Sequence, residues 1–319
     1  MSLLIKKPGM LSTVQDLGRF GGRHLGINPG GVMDHASARA LNIVLGNQQT
    51  SAVLETHFPA AEIQFDSETF FAIGGADFGA ELDGKPVRNW GTATAGEGSV
   101  LSFKKRLSGQ RAYLAVKGGI KVDAWLGSFS TNLTAAMGGH DGRRLTAGDR
   151  IDCETSAGSI TLTIGPSMRP QSGSRVTVRV VKGSEYELLT AISERDLMTE
   201  AFTLTRDCDR MGYRLAGKAL HLLHPREMVS AAVSFGTIQL LRDGQMIVLM
   251  ADHQTSGGYQ RIGNVMSTDL PTLAQCGPGD EVRFEVVTIE EAERRTMSFE
   301  QELNYLRVGC RLQGQNANG

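Results

Sequence analysis

Glycine pairs separate short runs of β-forming residues along most of this chain, and this pattern constrains the fold more than any other feature. Glycine accounts for 39 of the 319 residues, well above its usual share of about 7%. The pairs are Gly21-Gly22, Gly30-Gly31, Gly74-Gly75, Gly118-Gly119, Gly138-Gly139 and Gly257-Gly258. The runs are AEIQF, TFFAI, RAYLAV, SITLTI, RVTVRVV and MIVLMA. Short strands joined by glycine-rich turns are typical of barrels and sandwiches rather than of alternating strand–helix units.

Three similar segments suggest that the strands form two barrels. Each has a turn with an acidic residue or glycine before an alternating strand: AGEGSVLSF, TAGDRIDC and GPGDEVRF. The segment GPSMRPQSGS is rich in proline, glycine and serine, as linkers are. The sequence therefore predicts a mainly β protein with few short helices and with β-barrel domains at 1–170 and 171–290. Residues 291–319 are predicted to form a C-terminal helix and a disordered tail, the tail being the last seven residues, QGQNANG. The alternative is that such turns simply recur in any β protein.

Four helices are predicted from capping signals and apolar spacing. The segments are MDHASARALNIVLGN, GSEYELLTAISERDLMTEAF, STDLPTLAQCG and TIEEAERRTMSFEQELNYLRVG. Asp34 is the expected N-cap of the first helix. Ser184 with Glu187, and Thr288 with Glu291, have the spacing of capping boxes at the second and fourth helices.

Charge, apolar runs and cysteine spacing exclude several classes of function. The formal net charge of −1 speaks against a nucleic-acid partner, because such proteins usually have a basic excess. The run MIVLMA is too short to cross a membrane, and the N-terminus lacks the apolar core of a signal peptide. The four cysteines are scattered without C-x-x-C, which indicates a reduced, cytoplasmic protein without structural zinc.

Residues 212–218 read G-x-x-x-x-G-K, which is one residue short of a P-loop. A P-loop needs serine or threonine after Lys218 to bind Mg²⁺, but the next residue is Ala219. Polar residues precede the motif where a buried strand is required, and Pro225 soon interrupts what should be a long helix. We therefore expect no nucleotide at this position. His221 and His224 would lie on opposite faces of a strand, and we predict no metal site.

The strongest candidate for a site is the segment ADHQTSGGYQ, which directly follows the apolar run QMIVLM. An acid and hydrogen-bonding side chains at a strand end, followed by Gly257 and Gly258, can form a cradle for an anion or oxyanion. The alternative is an ordinary Gly-Gly turn with polar decoration. A second candidate is the glycine-rich segment 13–34, which carries Asp16, Arg19 and Asp34. Long irregular segments are often functional, but this one could also be a solvated wrap over the barrel.

Several segments, in this order, resemble the allophanate hydrolase subunit 2-like family, also called the KipA-like or biotin-dependent carboxyltransferase family. They are STVQDLGRFG, GVMDHASARALNIVLGN with AVLET, AYLAVKGGIKVDAWLGSFST, GGHDGRRLTAGDRI, DRMGYRLAG and ADHQTSGGYQRI. Together they cover nearly the whole chain. RMGYRLAG is similar to a signature of this family, which explains the accidental likeness to a P-loop.

The resemblance implies two cyclophilin-like β-barrels and the role of the C subunit in an ATP-dependent 5-oxoprolinase. Such an enzyme opens 5-oxoproline to glutamate and includes a KipI-like B subunit and a separate A subunit. We expect the chain to be inactive alone, with no covalently bound cofactor and with ATP used by the assembled complex. Two alternatives remain: a carboxyltransferase-type subunit of a biotin-dependent urea or amide carboxylase, and a non-enzymatic KipA-type antagonist of a KipI-like kinase inhibitor.

Site roles follow from the resemblance together with the strand-end pattern. Asp252 is expected to act as a proton acceptor or orienting acid, and Gln254 and Thr255 as hydrogen-bond partners of the amide. Gly257 and Gly258 would donate backbone N–H groups to the developing oxyanion.

Further residues are expected to surround this centre. Tyr259 would wall the pocket, and Arg210 would bind a carboxylate or phosphate, although it could instead tie its turn to Asp207 or Asp209. The candidate substrate-binding residues Asp16, Arg19 and Asp34 complete the prediction. The chain departs from the family pattern at three loops: VVKGSEYE lacks two prolines, INPGGVMD stands where V-P-x-S-G usually precedes M-D, and Gln260 replaces proline. These departures concern the substrate more than the fold.

Overall fold

The computed structural model describes residues 1–154, 161–224 and 227–316, and the chain divides into two compact units. Unit 1 comprises Met1–Arg19, Gly30–Pro170 and Glu300–Gly319, and unit 2 comprises Phe20–Pro29 and Gln171–Phe299. The segment Phe20–Pro29, which lies within the first predicted domain, thus belongs to unit 2. Among the described residues, no helix has the length and apolar character needed to span a membrane.

The strands of unit 1 form two sheets. They are β1 (Ser2–Lys7), β2 (Ser12–Gln15), β3 (Val53–His57), β4 (Glu62–Phe65), β5 (Thr69–Asp77), β6 (Ala80–Leu82), β7 (Lys85–Pro86), β8 (Gly91–Ala95), β9 (Val100–Phe103), β10 (Ser108–Val116) and β11 (Arg150–Asp152). In the described residues the sheet orders are β11-β1-β4-β9-β6-β7 and β2-β3-β10-β5-β8. Their apolar side chains, including Leu3, Ile5, Phe65 and Phe71, share one buried cluster. Burial of these side chains stabilises the sheet pair.

The Gly74-Gly75 pair lies inside strand β5 rather than in a turn. Gly75 has φ +76° and pairs with Ala112 next to an irregularity in the β5–β10 register, as expected for a bulge that needs glycine. A Cβ on Gly74 would lie 3.1 Å from Leu41 and 3.2 Å from Trp90. The glycine pair therefore allows helix α1 (His35–Val44) to pack closely on this sheet.

Unit 2 is built on a closed barrel. Its strands are β12 (Arg175–Lys182), β13 (Phe202–Cys208), β14 (Gly212–Ala216), β15 (Ala231–Ala232), β16 (Thr237–Leu240), β17 (Met246–Leu249), β18 (Ser256–Gly257), β19 (Gln260–Val265) and β20 (Glu281–Val287). The barrel order is β12-β19-β16-β17-β14-β13-β20, closed by the parallel pair β12–β20. Strands β15 and β18 form a separate two-stranded ribbon. The mainly β class and the presence of a barrel are confirmed.

The N-terminal capping residues of two helices are as predicted, and that of a third helix is not. Asp34 caps α1 by accepting a hydrogen bond from the Ser37 N–H, and Thr288 likewise accepts from the Glu291 N–H. The predicted capping box at Ser184 is wrong, because helix α2 (Ala191–Thr199) is capped by Thr190 instead.

The later helices differ from their predicted lengths. Helix α3 (Leu270–Ala274) is a single short turn-like element, whereas helix α4 (Ile289–Asn316) extends into the segment predicted to be a disordered tail. The end of that tail, 317–319, and the start of the predicted strand SITLTI lie outside the described residues.

Candidate functional site

The segment after β17 in unit 2 is held rigidly at its start. Met246, Val248 and Leu249 are buried in the barrel, which anchors the strand. Beyond it, the Met250 N–H donates to the Met211 carbonyl (3.0 Å) and the Asp252 N–H donates to the Arg210 carbonyl (2.7 Å). The hydrogen bonds to the neighbouring segment therefore continue past the strand and fix the backbone of Asp252.

Arg210 and Asp252, which were predicted as separate site residues, form a buried ion pair. The Arg210 Nε donates to Asp252 Oδ2 (2.8 Å) and Nη2 donates to Oδ1 (3.0 Å). Their side chains are only 6% and 13% exposed. Paired N–H···O contacts of this kind are strong and directional. The two groups neutralise each other, which favours the orienting role of Asp252 over that of a free proton acceptor.

Asp209 does not hold Arg210, contrary to one alternative considered from the sequence. Its carboxylate accepts hydrogen bonds from the N–H groups of Met211 (2.7 Å) and Gly212 (3.1 Å), which closes the turn before β14. The partner of Arg210 is instead Asp252, 42 residues away in sequence. Whether this guanidinium also meets a substrate anion remains a prediction.

His253 is a buried imidazole to which the sequence pattern assigns no separate role. It is 1% exposed, and its Nδ1 lies 2.5 Å from the Gln254 carbonyl oxygen. A carbonyl oxygen only accepts hydrogen bonds, so Nδ1 carries the proton in the neutral ring and Nε2 keeps a lone pair. Burial lowers the pKa of His253, and Arg23 adds to this effect, while the Gln254 carbonyl and Asp252 oppose it. The neutral ring is therefore favoured near pH 7.

The segment Phe20–Pro29 contributes directly to this part of unit 2. Arg23 donates to the Val233 carbonyl, and the Asn28 side-chain amide donates to the Asp252 carbonyl at 2.8 Å. The Val233 N–H in turn donates to the Thr255 carbonyl at 3.3 Å. Three distant stretches of the chain are thus joined around the candidate loop. Sequence spacing offered no signal for the role of Asn28.

The two glycines of the candidate loop differ from each other. Gly257 lies in β18, where it pairs with Ala231, and a Cβ there would meet Gln239 Nε2 at 2.4 Å. Gly258 does not have a φ in the left-handed region, and a Cβ there would be 3.4 Å from the nearest atom, the Met228 carbonyl oxygen. A side chain at 257 would therefore require the Gln239 amide to shift, whereas position 258 has room for a Cβ.

Gly258 and Tyr259 line a cavity of about 450 Å³ in unit 2. The remaining described lining residues are Leu220, His221, Leu222, Glu227, Met228, Leu240, Leu241, Arg242, Gly244 and Gln260. Tyr259 is 41% exposed, so its ring is available at the mouth of this cavity. The lining is mixed, so the cavity offers both apolar contacts and hydrogen-bonding groups to a small molecule.

In unit 1, Asp16 anchors a loop through its buried carboxylate. The oxygens accept hydrogen bonds from the Gly18 N–H (2.8 Å), the Ser128 hydroxyl (2.7 Å), the Phe129 N–H (2.7 Å) and the Ser130 hydroxyl. These contacts account for the burial of the carboxylate without a ligand. Its role in substrate binding remains a prediction.

Arg19 lies beside this loop and supports the wall of a groove. It is 2% exposed; it donates to the Ser130 carbonyl, and its guanidinium lies 4.7 Å from the centroid of the Trp125 ring. Trp125 lines a groove of about 710 Å³ in unit 1. The stacked geometry is that of a cation–π contact, so Arg19 orients Trp125. A contact between Arg19 and substrate remains a prediction.

Asp34 has both carboxylate oxygens committed to the start of α1. Oδ1 accepts from the Ser37 N–H (2.8 Å) and Oδ2 from the Ser37 hydroxyl. Its own N–H donates to the Tyr113 hydroxyl at 2.9 Å, and that hydroxyl donates to Glu55. Capping explains the burial of Asp34, and a contact with substrate remains a prediction.

Possible metal ligands were compared across the described residues, 1–154, 161–224 and 227–316. No group of three or more His, Cys, Asp or Glu side chains is placed there to hold a metal ion. Around the loop of unit 2, the groups described above include the Asn28 carboxamide, the neutral imidazole of His253 and the Asp252 carboxylate paired with Arg210. Their chemistry is that of binding and orienting a polar organic ligand.

Comparison with known proteins identifies the family. Residues 25–286 match the carboxyltransferase domain, subdomain A and B. The chain belongs to this family.

Two curated relatives and one solved structure extend the comparison. The C subunit of 5-oxoprolinase from Haemophilus influenzae is 38% identical over 93% of this chain and 94% of its own. A protein of the same name from Escherichia coli is 34% identical over 98% of this chain and 100% of its own. The crystal structure of the Kluyveromyces lactis urea carboxylase superposes with a TM-score of 0.88 and 26% identity, over 97% of this chain and 29% of that chain.

Proposed function

We propose that this chain is the C subunit of an ATP-dependent 5-oxoprolinase, which opens 5-oxoproline to glutamate together with a KipI-like B subunit and a separate A subunit. The observation that carries the proposal is the end-to-end match to two relatives that bear the name of the 5-oxoprolinase C subunit. Because the match covers nearly all of both chains, the relatives contain no additional domain to which that name could refer instead.

The chemistry of unit 2 supports this proposal. The carbonyl of a cyclic amide is a poor electrophile because of resonance, so its opening needs donors that stabilise the charge developing on oxygen. The loop 250–259 supplies the Gln254 carboxamide on a backbone that the Arg210–Asp252 pair and the Asp252 N–H contact help to fix. We expect the assembled complex to use ATP. Residues 212–218 form strand β14 and the bend after it, so the G-x-x-x-x-G-K pattern does not open a helix here.

The test is reconstitution of the enzyme from its separate proteins. This chain, the KipI-like protein and the third component are coexpressed, and 5-oxoproline-dependent ATP hydrolysis and glutamate formation are measured. We expect turnover by the complex and none by this chain alone. Robust turnover by the single chain would contradict the subunit role, and an assembled complex without turnover would contradict the substrate.

A second candidate function is carboxyl transfer from biotin to urea or a related amide. The specific observation in its favour is the match to the family of carboxyltransferase domains. The same preparations are supplied with a carboxylated biotin carrier and urea, and carboxylated product is measured. Product formed here, without 5-oxoproline-dependent turnover, would select this alternative.

A further inference from the structure

Gln239 in β16 holds a side-chain donor that the described protein does not satisfy. The residue is 1% exposed, and its Nε2 has no hydrogen-bond partner among the described residues. A buried N–H group without an acceptor destabilises a fold, whereas leucine at the same position would not carry this penalty. A retained group of this kind calls for an explanation such as an acceptor outside the chain.

The amide nitrogen of Gln239 faces the candidate loop. The side-chain position of Gly257 is 2.4 Å from Gln239 Nε2 and 3.4 Å from Gln254 Nε2. Two carboxamide groups from different parts of the chain therefore converge beside one glycine. Any side chain at position 257 would displace the Gln239 amide.

The two-stranded ribbon that carries Gly257 is short and lies outside the barrel sheet. Strands β15 and β18 pair over only two positions, Ala231 with Gly257 and Ala232 with Ser256. Gln239 itself is fixed because β16 pairs on both sides with β17 and β19. A ligand that shifts Gly257 would therefore meet a stationary donor.

Two nearby cations are paired with acids and a third, Arg23, donates to the Val233 carbonyl, which favours an uncharged acceptor beside Gly257. Arg210 is paired with Asp252, and Arg261 donates to Glu185 at 2.8 and 3.0 Å. The two carboxamide nitrogens beside Gly257 are neutral donors. Neutral donors suit an acceptor that is uncharged in the ground state and gains negative charge during reaction.

We infer that Gln239 Nε2, together with Gln254 Nε2, binds the carbonyl oxygen of a small amide substrate at Gly257. This inference rests on the proposed function, because it assumes that the site takes an amide. It adds Gln239, a residue of a different strand, to the residues predicted from the loop sequence. It also assigns the side-chain amides, rather than the Gly258 N–H, as the principal donors.

The test uses Gln239→Leu in the assembled complex, with Gln245→Leu as a matched control in the same barrel. The Gln245 amide bonds the Gly217 N–H and carbonyl at 2.9 and 3.3 Å. We expect Gln239→Leu to lower kcat/KM by about 10-fold or more while Tm stays equal or rises. The control should lower Tm and leave kcat/KM unchanged. Gln239→Met provides a second apolar variant should leucine fit poorly.

Two results would overturn the inference: kcat/KM of the Gln239 variants within about 2-fold of wild type, or a fall in Tm as large as that of the control. If the wild-type complex has no 5-oxoproline-dependent turnover, the proposed function fails separately. The inference is then tested by calorimetry, which measures the binding of 2-pyrrolidone, a lactam without a carboxylate. Saturable binding to wild type and not to Gln239→Leu supports it, whereas equal binding or none contradicts it.

Discussion

Breaking the Arg210–Asp252 pair from one side should destabilise unit 2 strongly. Asp252→Asn keeps the shape of the side chain and the backbone contacts of residue 252, but it leaves the Arg210 charge, whose side chain is 6% exposed, without this anion. Removing one partner of a buried pair typically costs about 3–5 kcal/mol. With a shift of roughly 2–4 °C per kcal/mol for a protein of this size, Tm should fall by about 6–20 °C.

The decisive measurement is a double-mutant cycle. Arg210→Met alone should be similarly destabilised, because it strands the carboxylate. The variant with both Arg210→Met and Asp252→Asn contains neither charge, so it should be more stable than the sum of the single effects predicts. A matched control is Glu227→Gln, which breaks the pair between Glu227 and Arg242, whose side chains are 90% and 84% exposed. This change should leave Tm unchanged, since such pairs contribute little.

Additive losses in the cycle would refute the argument that the two charges stabilise each other. Activity then separates two roles of the pair. If it only fixes the loop, the double variant should recover activity together with stability. If Arg210 also contacts the substrate, the double variant should be stable but remain inactive in the assembled complex.

Three further predictions concern protonation, backbone and thiol chemistry. Burial lowers the pKa of His253, so the protein should lose stability as the pH falls below about 6.5, the ordinary pKa of histidine. His253→Gln should flatten this part of the profile of Tm against pH. A slope equal to that of the wild type would contradict the prediction. Gly139→Ala should lower Tm far more than Gly148→Ala. Both glycines have positive φ, but only at 139 would the added Cβ clash, lying 1.9 Å from Thr131. Equal changes in Tm would contradict the role of this clash. Burial raises the pKa of Cys153 to about 12, so alkylation of native protein at pH 8 should modify partly exposed Cys208 well before Cys153, as mass spectrometry can show.

The fold could be predicted where local chemistry decides it. Alternating apolar residues indicated the strands, and Asp34 and Thr288 were correctly identified as helix caps because their hydroxyl or carboxylate contacts lie within four residues. The capping box predicted at Ser184 is wrong because tertiary contacts hold this part of the chain outside a helix. Strand β12 runs to Lys182, and a Cβ on Gly183 would lie 2.1 Å from the Arg261 carbonyl. Spacing alone cannot show such a close approach between strands.

The candidate site could be predicted only as a set of residues. Strand-end polarity and the family motif indicated Arg210 and Asp252, but their pairing joins positions 42 residues apart, and Asn28 reaches Asp252 across 224 residues. Gln239 has no local signature, since a glutamine in a strand is more often solvated. Its significance comes from burial and from the absent side chain of Gly257, both properties of the folded barrel.

The way in which the polar groups are satisfied also explains why this chain should need partners. Asp16 and Asp34 are committed to loop and helix contacts in unit 1. In unit 2 the loop has the neutral imidazole of His253 and the paired carboxylate of Asp252, and the carboxamides of Gln254 and Gln239 lie beside Gly257. Such groups bind an amide and stabilise charge on its oxygen, but they do not overcome the resonance that makes the amide unreactive. We propose that activation by ATP involves another component of the complex, so the loss of Gln239 should be measured in the assembled complex and not in the isolated chain.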